Sequence, residues 1–267
     1  MRQNGAVRTV LATLTGNAFL LAGTVVIGLL AVLVGAIPPR GNWMFWCARL
    51  WSRLLLRCSW IRVEPSLEVP LDPAGRYIFM ANHQSLFDIP VLIATLPGQT
   101  RFLAKQSLFR IPIFGWALAV GGFIPVDRSD RSRAREVFAS AVERLRVGNS
   151  ILLFPEETRS LDSNLLPFQR GGFLLALKSG LAIVPVGIRG TREVQPKGSF
   201  VIRPRPVAIR YGTPITVAGF DLRHRKELAA TVRARVAELA GLPAPVAAAA
   251  APAASPAPPA RPSSSLQ

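Results

Sequence analysis

Histidine and cysteine are nearly missing from this chain, with two of each among 267 residues. Cys47 and Cys58 stand about three helical turns apart and form no Cys-x-x-Cys pair, which argues against a disulfide framework or a zinc site. His83 and His224 lie in different regions, so a histidine-rich metal centre is not expected either. No G-x-S-x-G elbow occurs, and Ser85 is therefore a weak candidate nucleophile. No internal repeat is present. Acidic residues are scarce as well: 15 Asp and Glu face 32 Lys and Arg, for a net charge of +17 and a pI near 11.6. Such a balance calls for an anionic partner, either nucleic acid or an anionic lipid surface. The aromatic residues gather near the amino terminus rather than along a basic groove, which argues against nucleic acid.

Charge of either sign is absent from residues 9–39, TVLATLTGNAFLLAGTVVIGLLAVLVGAIPP. About 20 apolar residues cross a bilayer core as a helix, and this run is longer. A cleaved signal peptide would have a shorter apolar core and a polar mature start; here Trp43, Met44, Phe45, Trp46 and Trp51 follow. The run reads as a retained membrane segment. Next comes WMFWCARLWSRLLLRCSWIRV, residues 43–63, with arginines at 49, 53, 57 and 62. Tryptophans and arginines around an apolar stripe suit an interfacial helix, and a soluble amphipathic helix packed on the domain fits the same pattern. Arg2 and Arg8 precede the run and Arg40 follows it, so the distribution of positive charge sets no orientation. A turn at Gly35 and Pro38-Pro39 would put both ends on one side.

Residues 64–241 alternate short apolar runs with amphipathic segments. Strands are expected at 77–81, 101–104, 123–126, 151–154, 183–188 and 207–211, and helices at 89–96, 113–120, 131–147, 171–179 and 226–240. That alternation predicts an α/β fold with a mixed, mostly parallel sheet flanked by helices, whose sites collect at the carboxyl ends of the strands. Three regions follow: membrane-embedded or interfacial helices over 1–63, an α/β domain over 64–241, and an Ala/Pro-rich tail over 242–267 with the composition of a disordered segment.

The first candidate site is ANHQSLFD at 81–88, directly after the first strand of that set. On one continuous helix His83 and Asp88 would stand about 140° apart. A turn after the strand, with a helix starting near Asp88 and Pro90, brings the carboxylate back to the imidazole. A carboxylate on one ring nitrogen fixes the tautomer and frees the other nitrogen to take a proton. The same residues also fit a loop histidine and a plain helix cap. FPEETR at 154–159 follows another strand, and its Arg159 suits a phosphate or carboxylate; a charged turn with local ion pairs is the alternative. Lys105 and Arg128 each follow further strands, so several strand ends carry one cation apiece.

Taken together, these motifs resemble the 1-acyl-sn-glycerol-3-phosphate acyltransferase family of the glycerolipid acyltransferase superfamily. NHQSLFD at 82–88 is similar to its Asn-His-x-x-x-x-Asp block, GGFIPVDR at 121–128 to its second block, FPEETRS at 154–160 to its third, and IVPVGI at 183–188 to its fourth. Glu157 stands where the third block has glycine; a positive φ there would strain a glutamate, and its charge adjoins the expected phosphate site. The resemblance implies acyl transfer from acyl-CoA or acyl-carrier protein, without another cofactor or a metal, to the free hydroxyl of lysophosphatidate. The resemblance also implies work among membrane lipids at the cytoplasmic face of a bacterial-type inner membrane. It makes His83 and Asp88 the catalytic pair. Arg159 grips the acceptor's phosphate, helped by Lys105 and Arg128. Glu156 and Thr158 join the acceptor site, Glu156 through a glycerol hydroxyl or by orienting Arg159. Glu157 leaves open another lysolipid acceptor, such as a lyso-aminolipid. A non-catalytic basic membrane-binding protein would explain the charge and the apolar run but not the ordered motifs.

Overall fold

A computed structural model describes residues 2–35, 37, 41–127, 134–160 and 164–243. Arg128 and residues 244–267 of the tail lie outside the described residues, as does the Pro38-Pro39 turn. A seven-stranded sheet in the order β1-β7-β6-β2-β5-β3-β4 forms the centre. Its strands are β1 (Val63–Leu67), β2 (Ile78–Ala81), β3 (Thr100–Lys105), β4 (Ile124–Val126), β5 (Ser150–Leu153), β6 (Ile183–Arg189) and β7 (Val207–Tyr211). The strands from β6 to β4 in that order are parallel, and β7 runs antiparallel to β6 with β1 parallel to it. β1 is an addition to the expected set; its VEPSL has little apolar signal and it pairs only at the sheet edge.

β2 and β5 are buried along their whole length, as an uninterrupted apolar strand in a parallel sheet requires. The two-residue period divides them between two cores. Phe79, Ala81, Leu152, Val184, Val186 and Ile188 face one side. Ile78, Met80, Ile151, Leu153 and Ile183 face the other. The first side is covered by α1 (Arg2–Gly35), α2 (Asn42–Cys58), α3 (Asp88–Thr95) and α4 (Phe114–Val120). The second is covered by α5 (Ala134–Arg146), α6 (Gly171–Ser179) and α8 (Arg225–Ala240). A short α7 (Thr191–Val194) follows β6 and adds Val194 to the first side. Each fully buried aliphatic or aromatic side chain contributes about 1.5–3 kcal/mol.

α1 contains the one helix segment among the described residues long and apolar enough to cross a membrane, Gly5–Gly35. It meets the domain through small residues: Ala12, Gly16, Gly23, Ala31 and Gly35 are buried. A Cβ on Gly16 would lie 2.5 Å from Ser59 Oγ, and one on Gly35 would lie 2.4 Å from Val120 Cγ1. Close approach is therefore sustained along the helix, from Ser59 and Ile202 at one end to Ile113 and Val120 at the other. The opposite face exposes Leu14, Leu21, Val26, Leu29 and Leu33. α2 returns antiparallel against α1 and α3, burying Met44, Phe45, Leu55 and Leu56 while Trp43, Trp46 and Leu50 stay exposed. Arg49 turns inward, donating to Ile93 O, Leu96 O and Gly98 O at the end of α3. Its place in the repeating arginines does not signal that role.

Candidate active site

Because β2, β5, β3 and β4 are parallel, the segments that leave their carboxyl ends share one edge of the sheet. After Ala81 the chain leaves β2, makes a turn, and enters α3 at Asp88. Within that turn His83 Nδ1 lies 2.8 Å from Asp88 Oδ2. The same oxygen accepts Gln84 N–H at 2.7 Å and Ser85 N–H at 2.9 Å. Asp88 thus caps the turn and orients the imidazole with one atom. Its side chain is fully buried, and that of His83 is 13% exposed. Asp88 Oδ2 thus receives two backbone donors and the imidazole together. Nδ1 is committed, which leaves Nε2 to exchange a proton.

Five further contacts immobilise the ring and its turn. Phe154 stacks on it, with centroids 4.0 Å apart and planes 15° from parallel. Asn82, just before it, is buried and bonds Ile188 in both directions, donating to its O at 2.9 Å and accepting its N–H at 2.8 Å. On the backbone, His83 N–H donates to Glu156 Oε1 at 2.7 Å, and Ser160 N–H donates to His83 O at 2.9 Å. The FPEETR loop therefore holds the His83 turn at both its donor and its acceptor.

Glu156 is 4% exposed, and its second oxygen accepts Leu166 N–H at 2.8 Å. Each oxygen accepts a backbone N–H, so Glu156 clamps two loops together. Burial pushes its carboxyl up to about 7, against the downward pull of the Leu166 and His83 N–H groups. Thr158 and Glu157 are exposed and Arg159 is half-buried beyond the same turn. Glu157 has φ of 58°, the left-handed conformation in which a glycine carries no steric penalty. Lys105 is exposed at the last position of β3. The edge thus carries Lys105 and Arg159 with the His83 centre.

Ser85 is occupied structurally: its hydroxyl donates to Gln195 O at 2.8 Å and accepts Phe87 N–H at 3.2 Å. Sequence reasoning missed the Phe154 shelf, although its place at the end of an apolar strand beside the motif is a usable signal. It also missed Lys197, which donates to Arg159 O at 3.4 Å and has no local signature. Among the described residues no three His, Cys, Asp or Glu side chains cluster as metal ligands would.

The Acyltransferase family profile matches residues 61–189. A chloroplastic 1-acyl-sn-glycerol-3-phosphate acyltransferase of Arabidopsis thaliana is 34% identical over 163 residues, covering 61% of this chain and 45% of that protein. The 1-acyl-sn-glycerol-3-phosphate acyltransferase of Salmonella typhimurium is 30% identical over 184 residues, covering 67% and 74% respectively. The match spans only about half the length of the plant relatives. The crystal structure of the 1-acyl-sn-glycerophosphate acyltransferase PlsC from Thermotoga maritima superposes with a TM-score of 0.73 at 26% identity, over 90% of this chain and 98% of that one. By sequence motifs, fold and relatives alike, the chain belongs to the 1-acyl-sn-glycerol-3-phosphate acyltransferase family.

Proposed function

We propose that this protein transfers an acyl group from a thioester, acyl-CoA or acyl-carrier protein, to the sn-2 hydroxyl of lysophosphatidate, giving phosphatidate. The observation that carries this reading is the His83–Asp88 pair, bonded at 2.8 Å at the carboxyl end of a central parallel strand. An alcohol is a poor nucleophile at neutral pH, and a positioned base is worth about 10²–10⁴-fold. His83 Nε2 takes the hydroxyl proton as the oxygen attacks the thioester carbonyl. The carbon–sulfur bond then breaks, and the departing thiolate receives the proton from the imidazolium. Asp88, bonded to Nδ1, stabilises that imidazolium. No covalent acyl-enzyme is needed, because the thiolate leaves readily.

Arg159 is assigned the acceptor's phosphate, with Lys105 at the same sheet edge and Arg128 of the 121–128 motif as helpers. The exposed apolar faces of α1 and α2 support membrane placement: Leu14, Leu21 and Leu33 on one helix, and Trp43, Trp46 and Leu50 on the other. Such a surface buries itself in lipid, where both acceptor and product reside.

The test is release of free thiol from acyl-CoA by the purified protein with lysophosphatidate and, side by side, other lysolipids. Release should depend on lysophosphatidate and vanish in His83→Ala. Faster release with a lyso-aminolipid would transfer the assignment to that acceptor. Release by His83→Ala at the wild-type rate would remove the base.

A further inference from the structure

Between α7 and β7 the chain runs along the amino-terminal half of α1. Backbone contacts fix this loop. Arg203 N–H donates to Val194 O at 2.9 Å. Thr13 Oγ1 accepts Ile202 N–H at 3.0 Å and lies 3.2 Å from Ile202 O, and Asn17 Nδ2 donates to Phe200 O at 3.1 Å. Ile202 is buried against Gly16 of α1. Pinned in this way, the loop holds Phe200 83% exposed and Val201 exposed beside it. A single exposed apolar residue is ordinary; a rigidly displayed aromatic next to an exposed apolar helix face is a surface suited to lipid.

The flanking charges supply the second observation. Arg8, Arg203 and Arg205, with Thr9 and Pro204, line a cavity of about 300 Å³. None of the three arginines forms an ion pair with a carboxylate among the described residues. Arg8 immediately precedes the uncharged run of α1, and Val10, Leu11 and Leu14 are exposed just beyond it. The cavity therefore lies at a boundary between apolar surface and guanidinium donors, the layering of a lipid tail and its phosphate. Guanidinium forks match phosphate oxygens in geometry as well as charge.

We propose that Arg8, Arg203 and Arg205 form a binding site for the phosphate of an anionic membrane lipid, with Phe200 and Val201 set into the acyl region beside it. The site shares no residue with the His83 centre. It rests on the membrane placement in the proposed function and adds a second point of attachment, at the loop. That loop begins beside Gln195, whose carbonyl accepts the Ser85 hydroxyl, so the attachment fixes the catalytic turn relative to the headgroup plane.

The experiment equilibrates the full chain between two vesicle populations of different density, phosphatidylcholine alone and phosphatidylcholine with phosphatidylglycerol. Competition between them cancels the hydrophobic contribution of α1. Arg203→Gln/Arg205→Gln should lower the preference for the anionic population about 30-fold, roughly fivefold per arginine. Arg205→Gln alone, at an exposed side chain, should lower it about fivefold and keeps the test valid if the double variant fails to fold. Arg223→Gln/Lys226→Gln, at the start of α8 across the sheet, should have a much smaller effect. Phe200→Ser should weaken binding to both populations alike. An unchanged preference in the double variant, or an equal loss in the α8 pair, would overturn the site. Glycerol 3-phosphate is the soluble arm: if it raised the melting temperature of the wild type but not of the double variant, with vesicle preference unchanged, the site would serve a free phosphate ester and the lipid assignment would fall. Thiol release by the wild type in neutral detergent micelles scores the acyltransferase reading independently.

Discussion

Asp88→Asn separates two tasks that one oxygen performs. Asp88 Oδ2 accepts from Gln84 N–H, Ser85 N–H and His83 Nδ1. Two of those donors are backbone groups that cannot change role, so the asparagine must turn its carbonyl toward them. The turn and the Nδ1–H tautomer of His83 are then preserved. The amide NH₂ falls where Asp88 Oδ1 lies, a buried atom without a hydrogen-bond partner among the described residues, so fold stability should change little. What disappears is the negative charge facing the imidazolium. At an effective dielectric constant of 20, two charges about 4 Å apart interact by about 4 kcal/mol, which corresponds to about 10³-fold in rate. Asp88→Ala, in contrast, also leaves the Gln84 and Ser85 N–H groups unpaired, at about 1–3 kcal/mol each, and should lower the melting temperature sharply. The assay is single-turnover thiol release from acyl-CoA with saturating lysophosphatidate, alongside thermal melting. If Asp88→Asn melted like the wild type yet turned over within about tenfold of it, the carboxylate would be a cap only, and the account of imidazolium stabilisation would fail.

Three other outcomes follow from the same geometry. Burial holds Glu156 protonated up to about 7 in the folded protein, against an ordinary value of 4.5, so the native state binds the extra proton between those values and its stability should fall as pH rises through that window. The ionised form accepts the His83 and Leu166 N–H groups more strongly than the neutral acid, so thiol release should rise with pH through about 7. Glu156→Gln should flatten the melting-temperature slope in that window, and a slope identical to wild type would show that another group titrates there. Glu157→Gly should relieve about 1–2 kcal/mol of left-handed strain, offset by about 0.4–1 kcal/mol of extra freedom in the unfolded chain; a clear loss of melting temperature would refute the strain. Arg159→Ala should raise the KM for lysophosphatidate about 10–100-fold with kcat little changed, the loss of one charge-assisted hydrogen bond, and unchanged acceptor saturation would remove Arg159 from the phosphate site.

The His83–Asp88 turn was legible in the residues because its parts are close in the chain. His83 and Asp88 are five positions apart, and strand, turn and Pro90-led helix leave few ways to arrange them. The two cores were legible for a similar reason, since the period of two in β2, β5 and β6 dictates which side chains share a face. Even the strain at Glu157 could be anticipated, because it follows from one residue type at one turn position.

What the sequence by itself determined was the α/β alternation, the membrane-compatible apolar run and the pairing of His83 with Asp88, all set by local periodicity and short spacing. Tertiary structure alone decided the rest. The clamp from Glu156 to His83 joins positions 73 residues apart. The Asn82–Ile188 stitch spans 106, and the contact of Thr13 with Ile202 spans 189. Contacts of that range depend on strand order and helix packing, which local propensity does not encode. Thus the contacts by which Glu156 clamps two loops could not be read from the chain. An arginine in α2 could be read as interfacial and is a cap for α3.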